Sequence, residues 1–265
     1  MIMDIRSYVT QKKLLLKEEI SKAHKTPHLV ILQANDDPAS DTYIRGKLSD
    51  CLEVGIKASH VKLATTVTEA NLIKTIEVFN RDPKIHGLIV QMPLPKHINE
   101  DAIKLAVTPS KDVDGFHPLS TLKTCTPKGI VDYLSDIGFD FVGKNAVVIG
   151  RSNIVGKPLA ALLTSNHANV TILHSRTKED DMAYYLRHAD LVCVAVGKKW
   201  FIDKQELKET AIVVDIGINR IDGELFGDAR PGLKVAMQTP VPGGVGLLTR
   251  LALISNVWEA FKRGI

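Results

Sequence analysis

Tyr43 and Lys47 stand four residues apart in a segment, 42–53, with a helical apolar pattern, so both side chains share one face. Gln91 closes the apolar run GLIVQ (87–91), and Pro93 and Pro95 follow at once. Asp114 lies in a polar, glycine-containing stretch, KDVDGFHP (111–118). A tyrosine platform, an ammonium, an amide and a carboxylate brought to one cleft would suit a flat, nitrogen-rich ring. The same Tyr-Lys spacing also suits a plain half-buried helix face, with the lysine stem along it and the charged head in water.

A second group of residues sits in the other half of the chain. The run NAVVIG (145–150) leads directly into Arg151, Ser152, Asn153, Ile154, Val155 and Gly156. This G-R-S-x-x-x-G pattern meets the demands of a dinucleotide turn. Gly150 permits a tight turn, Ser152 can donate to a phosphate, and Gly156 lets the helix pack close to the strand. A pyrophosphate would sit at the helix N-terminus, where free N–H groups favour anions. A tight turn without a ligand is the plainer alternative. The next apolar run ends Leu173, His174, Ser175, Arg176, Thr177, with no carboxylate before Glu179. NAD sites place an acidic residue about 20 residues on for the ribose 2′-hydroxyl. Ser175, Arg176 and Arg151 suit a 2′-phosphate instead, so the expected cofactor is NADP. A solvated cation at a helix start remains the other reading of Arg176. Gly197 and Gly217 follow later strands and would let a flat nicotinamide or ribose approach the backbone, as ordinary turn glycines also would.

The elements that must carry these groups alternate. Helical patterns cover residues 14–24, 42–53 (with Ser40 as N-cap and Gly55 as stop), 69–80, 128–137, 156–165, 179–187 and 248–263. Apolar runs at 28–33, 61–63, 87–91, 145–150, 169–173, 191–196, 211–216 and 234–237 predict short strands. Buried strands separated by helices imply parallel sheets covered on both faces.

Composition sets bounds on partners. With 45% hydrophobic and 24% charged residues, the chain has the balance of a folded globular protein. The net charge of +4 is scattered, with no basic stripe, so no nucleic-acid partner is expected, although anionic small ligands suit it. Cys51, Cys125 and Cys193 are far apart and form no CxxC, and no HExxH occurs, so no metal site is expected. No apolar run reaches the ~20 residues that span a bilayer, and the N-terminus lacks a secretory pattern. The expectation is a cytoplasmic protein without a membrane partner.

Six segments, DDPASDTYIRGK (36–47), GLIVQMPLP (87–95), KDVDGFHP (111–118), CTPKG (125–129), GRSNIVGKP (150–158) and TPVPGGVG (239–246), occur in the order and spacing of one family. Through them nearly the whole chain resembles the bifunctional methylenetetrahydrofolate dehydrogenase/methenyltetrahydrofolate cyclohydrolases. The resemblance implies oxidation of 5,10-methylenetetrahydrofolate to 5,10-methenyltetrahydrofolate with NADP, then hydrolysis to 10-formyltetrahydrofolate. It makes Tyr43 a ring-stacking group and Lys47 the catalytic lysine. Gln91 becomes its holding partner, and Asp114 the carboxylate that anchors the pterin. Met92, Pro242, Gly243 and Gly246 join the folate contacts. Thr126, Ile218 and Thr249 join Gly150, Arg151, Ser152, Ser175, Arg176, Gly197 and Gly217 on the cofactor side. Hydride loss needs mainly orientation. Hydrolysis needs a proton taken from water and returned to the leaving nitrogen, as a lysine alternating between charged and neutral forms can do.

Two departures from the family pattern stand out. ILQANDDPAS lacks the usual glycine before the acidic pair, and Leu247 and Leu248 replace a Pro-Met pair expected beside the pterin and nicotinamide. Three other readings compete. One is a dehydrogenase without hydrolysis, which the presence of Lys47 with Gln91 opposes. Another is an NADP-dependent reductase of a different small carbonyl compound, opposed by KDVDG and TPVPGGVG. The third is a non-catalytic folate- or dinucleotide-binding protein.

The expected fold is α/β, with two domains flanking a cleft. A folate-binding α/β domain takes residues 1–119 plus 248–265, the C-terminal helix returning to it. A Rossmann-like NADP-binding domain takes 120–247. Tetrahydrofolate derivatives are the expected partners, and the family resemblance implies a homodimer.

Overall fold

The computed structural model describes residues 1–264. Along the chain run α1 (Ile5–Ser21), β1 (His28–Gln33), α2 (Pro38–Val54), β2 (Lys57–Lys62), α3 (Glu69–Arg81), β3 (Gly87–Gln91) and α4 (Glu100–Ala106). Next come α5 (Cys125–Asp136), β4 (Asn145–Ile149), α6 (Gly156–Ser165), β5 (Asn169–Leu173), α7 (Glu179–His188), β6 (Leu191–Val194) and β7 (Ile212–Asp215). The last elements are β8 (Asn219–Ile221), β9 (Glu224–Phe226), β10 (Met237–Gln238) and α8 (Val245–Lys262).

The chain divides into two compact units. One holds Thr10–Cys125 and Arg250–Ile265, the other Met1–Val9 and Thr126–Thr249. The first nine residues, expected with the folate-binding domain, therefore group with the dinucleotide-type unit. A physical reason is at hand: Met3 N donates to Gln238 O and Gln238 N to Met1 O, so the N-terminus extends the edge of that unit's sheet beside β10.

In the Thr10–Cys125 unit the sheet is parallel, in the order β2-β1-β3. Every residue of β1 is buried, as a strand covered on both faces must be. Alternate side chains enter different clusters. Leu29 and Ile31 pack with Ile44, Val54, Ile254 and Val257, while Val30 and Leu32 pack with Leu72, Ile76, Val90 and Ile103.

The other unit has a five-stranded parallel sheet, in the order β10-β7-β6-β4-β5. Numbered within the sheet this is 2-1-3-4-5, a doubly wound order whose switch point lies between β4 and β6. Strands β6 and β7 are wholly buried, and β5 lies at an edge.

Several elements differ from the sequence-based expectation. Helix α1 begins nine residues before residue 14, where Asp4 Oδ1 accepts from Ser7 N and starts the first turn. Helix α2 begins at Pro38, and its N-cap is Asp37 rather than Ser40. The Asp37 carboxylate takes both Ala39 N and Ser40 N, and proline at the first helical position lacks a donor that would go unmatched there. Strand β2 starts at Lys57, and β10 is confined to Met237–Gln238 rather than 234–237. Helix α4 and the β8–β9 hairpin were not signalled by periodicity, being seven and three residues long.

Candidate active site

The catalytic candidates sit where β1 and β3 end. Gln33 and Gln91 are in register as the last residues of adjacent parallel strands. This is the carboxyl edge at which open α/β sheets hold ligands. Helix α2, anchored by the Asp37 cap and stopped at Gly55 (φ +87°), carries Tyr43 and Lys47 on one face. The buried Lys47 Nζ donates to Gln91 Oε1 at 3.1 Å and lies 5.0 Å from the centre of the Tyr43 ring. Gln91 is itself held, because its Nε2 donates to Met92 O at 2.8 Å. That bond turns the amide oxygen towards Lys47.

An amide is a neutral partner. It accepts from an ammonium and from an amine alike, so the contact survives loss of the lysine proton. A carboxylate in its place would favour the charged form.

KDVDGFHP resolves into separate jobs. Lys111 Nζ donates to the carbonyls of Phe79, Asn80 and Asp82 at 3.0, 2.7 and 2.7 Å, closing the end of α3. Asp112 staples the loop by accepting from Gly115 N at 3.1 Å and His117 N at 2.7 Å. Burial pushes its carboxyl up to about 6, against these two bonds. Gly115 has φ +73°, and a Cβ there would lie 2.6 Å from Thr124 N, so only glycine fits. Asp114 is left as the group the loop presents. Burial raises its pKa, and the charge of Lys47 opposes the rise. A small cavity beside it is lined by Val90, Met92, Lys104, Asp112, Asp114 and Phe116. Tyr43, Lys47, Gln91, Met92 and Asp114 are thus gathered within one unit.

Three residues that support this group were not singled out from sequence for that role. Asn35 Nδ2 donates to Pro93 O at 2.8 Å, and Ser40 Oγ to Met92 O at 3.3 Å. These bonds tie the start of α2 to the turn after β3. Asn35 occupies the segment that departs from the family pattern, where it supplies a tie that glycine could not. Asn256 of α8 is fully buried, and its Nδ2 donates to Val113 O at 2.9 Å and Lys123 O at 3.0 Å, on either side of Asp114. Its signal in the sequence was weak: one polar residue at an apolar helical position.

The other unit carries the dinucleotide candidates. Gly150 and Gly197 follow β4 and β6, the strands that flank the switch point. The backbone there is tight: a Cβ on Gly150 (φ +124°) would lie 2.4 Å from Ala195 O, and one on Gly156 2.2 Å from Gly150 O. Ser152 Oγ accepts from Val155 N at 3.2 Å and Gly156 N at 3.3 Å, which shapes the entry to α6 and leaves its own proton to donate. Arg151, Ser152, Ser175 and Arg176 are all exposed. Arg176 N donates to His174 Nδ1, which fixes the turn after β5. Close backbone approach at the switch point, a helix N-terminus and two exposed arginines fit a phosphorylated dinucleotide. Thr126 and Thr249 are brought together, hydroxyl to hydroxyl at 2.9 Å. Ile218 is exposed after β7, while Gly217 beside it is buried against Asp228.

Pro242 is exposed and Gly243 (φ +93°) lies near the Arg6 guanidinium; Gly246 falls in the first turn of α8. Of the two leucines that depart from the family pattern, Leu248 is buried, with its backbone against Gly129, and Leu247 is half-buried. Leu248 is therefore a packing residue.

Among the described residues no cluster of His, Cys, Asp or Glu could hold a metal ion, and no helix is long and apolar enough to cross a membrane.

Residues 3–114 match the tetrahydrofolate dehydrogenase/cyclohydrolase catalytic domain, and residues 124–265 match the NAD(P)-binding domain of the same family. The chain is 44% identical over 270 residues to a bifunctional protein FolD of Streptococcus equi subsp. zooepidemicus, covering 96% of this chain and 94% of that one. It superposes with a TM-score of 0.95 on the bifunctional methylenetetrahydrofolate dehydrogenase/cyclohydrolase of Campylobacter jejuni, at 37% identity over 100% of this chain and 99% of that one. The Trypanosoma brucei methylenetetrahydrofolate dehydrogenase-cyclohydrolase, solved with NADP and an inhibitor, gives a TM-score of 0.94 at 30% identity, covering 99% of this chain and 97% of that one. With both domains matched in order and relatives aligned over almost their full length, the chain belongs to the tetrahydrofolate dehydrogenase/cyclohydrolase family.

Proposed function

We propose that the chain performs both reactions of its family: oxidation of 5,10-methylenetetrahydrofolate with NADP, then hydrolysis of the 5,10-methenyl product to 10-formyltetrahydrofolate. The observation that carries this reading is the Lys47–Gln91 contact beside Tyr43, in the unit that also presents Asp114.

Each residue has a role set by its chemistry. Tyr43 stacks on the folate ring, and Asp114 accepts from its amino and ring N–H groups. NADP, when bound, supplies the hydride acceptor for the methylene carbon. The two nitrogens that flank this carbon stabilise the cation left behind, so alignment of the substrate is what the protein must provide. In the second step water attacks the methenyl carbon. Lys47 takes a proton from that water and delivers one to the departing nitrogen, while Gln91 holds Nζ in place through both states. Met92, Pro242, Gly243 and Gly246 complete the folate contacts in this reading.

Thr126, Gly150, Arg151, Ser152, Ser175, Arg176, Gly197, Gly217, Ile218 and Thr249 are assigned to NADP. The exposed pair Ser175 and Arg176 supports NADP over NAD, since the turn after β5 has no acidic residue before Glu179. The protein is proposed to act as a homodimer without nucleic acid. Edge strand β5 with exposed Ile172, and α7 with exposed Tyr184 and Tyr185, offer an apolar face for a second copy. Three free cysteines, all buried, suit a reducing, cytoplasmic setting.

The test is a steady-state assay with 5,10-methylenetetrahydrofolate and NADP that follows NADPH and methenyl-folate together. NADPH formation with accelerated loss of methenyl-folate is the expected result. Methenyl-folate that accumulates unhydrolysed would leave a dehydrogenase alone.

A further inference from the structure

The dehydrogenase-side unit contains a buried pair of carboxylates, Asp215 and Asp228, that the reading above does not use. Asp215 ends β7; Asp228 follows β9 in a stretch, FGDAR, with no periodic or motif signal. Asp228 is fully buried and faces only donors. Its Oδ2 accepts from Val196 N at 2.6 Å and Gly197 N at 2.9 Å. Its Oδ1 accepts from Lys198 N at 2.8 Å and Asn219 Nδ2 at 2.9 Å. Asp215 in turn holds Asp228: its Oδ1 accepts from Asp228 N at 2.9 Å and Gly217 N at 3.2 Å, and its Oδ2 from Ala229 N at 2.8 Å. Gly217 packs so closely on Asp228 that a Cβ would lie 2.0 Å from the carboxyl carbon.

These bonds have one geometric result. Three successive N–H groups of the turn after β6 point inward at a single carboxylate, so Gly197 adopts φ +66° with its Cα face open, nothing lying within 4 Å of a Cβ built there. The turn after β7, carrying Gly217 and Ile218, is held from the same segment. Both turns lie at the carboxyl edge of the sheet, and β6 borders the switch point where a dinucleotide docks. Turns left free to rotate would lose entropy on every binding event.

We propose that Asp228, supported by Asp215, is a positioning residue that presets the two cofactor-facing turns after β6 and β7, so that the nicotinamide half of NADP binds a preformed surface. The inference rests on the assignment of those turns to NADP. A carboxylate is required at 228 because all four of its partners are donors. An asparagine of the same shape would set its NH2 against two of them.

The hydrolytic reaction supplies an internal control, since it uses no dinucleotide. In Asp228→Asn, the Kd for NADP, measured by calorimetry, should rise about tenfold, the cost of ordering turns that are no longer preset. The KM for NADP should rise in parallel, while hydrolysis of methenyl-folate stays at the wild-type rate. Wild-type NADP affinity in Asp228→Asn would overturn the proposal. If Asp228→Asn fails to fold, Asn219→Ala removes one donor at a half-exposed site. A severalfold weaker Kd with unchanged hydrolysis then supports the proposal, and an unchanged Kd overturns it. Wild-type protein that bound no NADP would instead remove the cofactor assignment beneath it.

Discussion

Lys47 meets an amide, not a carboxylate: its Nζ lies 3.1 Å from Gln91 Oε1, and Gln91 is itself turned by the 2.8 Å bond from its Nε2 to Met92 O. Hydrolysis asks a lysine to hold its position while changing charge, and a neutral, oriented acceptor permits this. Lys47→Met should lower hydrolysis of methenyl-folate at least about 100-fold, the usual range for a lost general acid-base. Some hydride transfer should survive. Gln91→Glu should also lose hydrolysis, because a carboxylate holds the ammonium charged. Separate rate measurements on the methylene and methenyl substrates check both variants, and unaltered hydrolysis in Lys47→Met would rule the lysine out.

Arg176 is exposed in the turn after β5, where Arg176 N donates to His174 Nδ1 at 3.2 Å. Its guanidinium is assigned to the 2′-phosphate. Arg176→Ala should therefore weaken NADP by about tenfold to a hundredfold, the worth of one charged contact, and leave NAD unchanged. The ratio of kcat/KM for the two cofactors measures this. An equal fall for both would place Arg176 outside the phosphate site.

Asn256 is buried on α8 and donates to carbonyls on either side of Asp114. Asn256→Ala would remove the amide donor from the buried Val113 O and from the carbonyl of exposed Lys123, at a cost of about 1–3 kcal/mol in unfolding free energy. Because one of the two is Val113 O, the loop carrying Asp114 should loosen as well, and the KM for folate should rise more than the KM for NADP. Urea unfolding combined with steady-state kinetics tests the pair of effects.

Asp215 carries a pH signature. Burial first, and then the neighbouring Asp228 charge, push its carboxyl up to about 6, against hydrogen bonds from Ala229, Asp228 and Gly217. A carboxyl whose pKa is higher folded than unfolded binds protons more tightly in the folded state. Its contribution to stability therefore falls as pH rises from about 4 to about 6. The stability difference between wild type and Asp215→Asn should shrink over that interval. Denaturant unfolding at pH 4, 5 and 6 reads it; a difference that grew with pH would show the sign to be wrong.

Much of the placement of the candidate residues was legible in one dimension. Tyr43 and Lys47 share a face because a helix repeats every 3.6 residues, and α2 delivers them as that spacing requires. Gln91 ends one buried apolar strand and Gly150 follows another, and parallel sheets place such ends at ligand edges. Local rules failed where two signals competed. Ser40 looked like a helix cap, but Asp37 before Pro38 offered a stronger one. The Ser40 hydroxyl joins that cap, donating to Asp37 Oδ2 at 3.0 Å, with Met92 O a second acceptor at 3.3 Å.

Sequence by itself determined the chemistry available: which side chains can carry a proton, stack on a ring or face a phosphate, and where the longer strands and helices run. Tertiary structure alone decided who supports them. Asn35 with Pro93, Asn256 with Val113, and Asp228 with Val196 to Lys198 are separated by 58, 143 and at least 30 residues. Their partners are backbone atoms, which every residue possesses, so no residue type marks the pairing. Only packing, which leaves each buried donor and acceptor to find a match, brings them together.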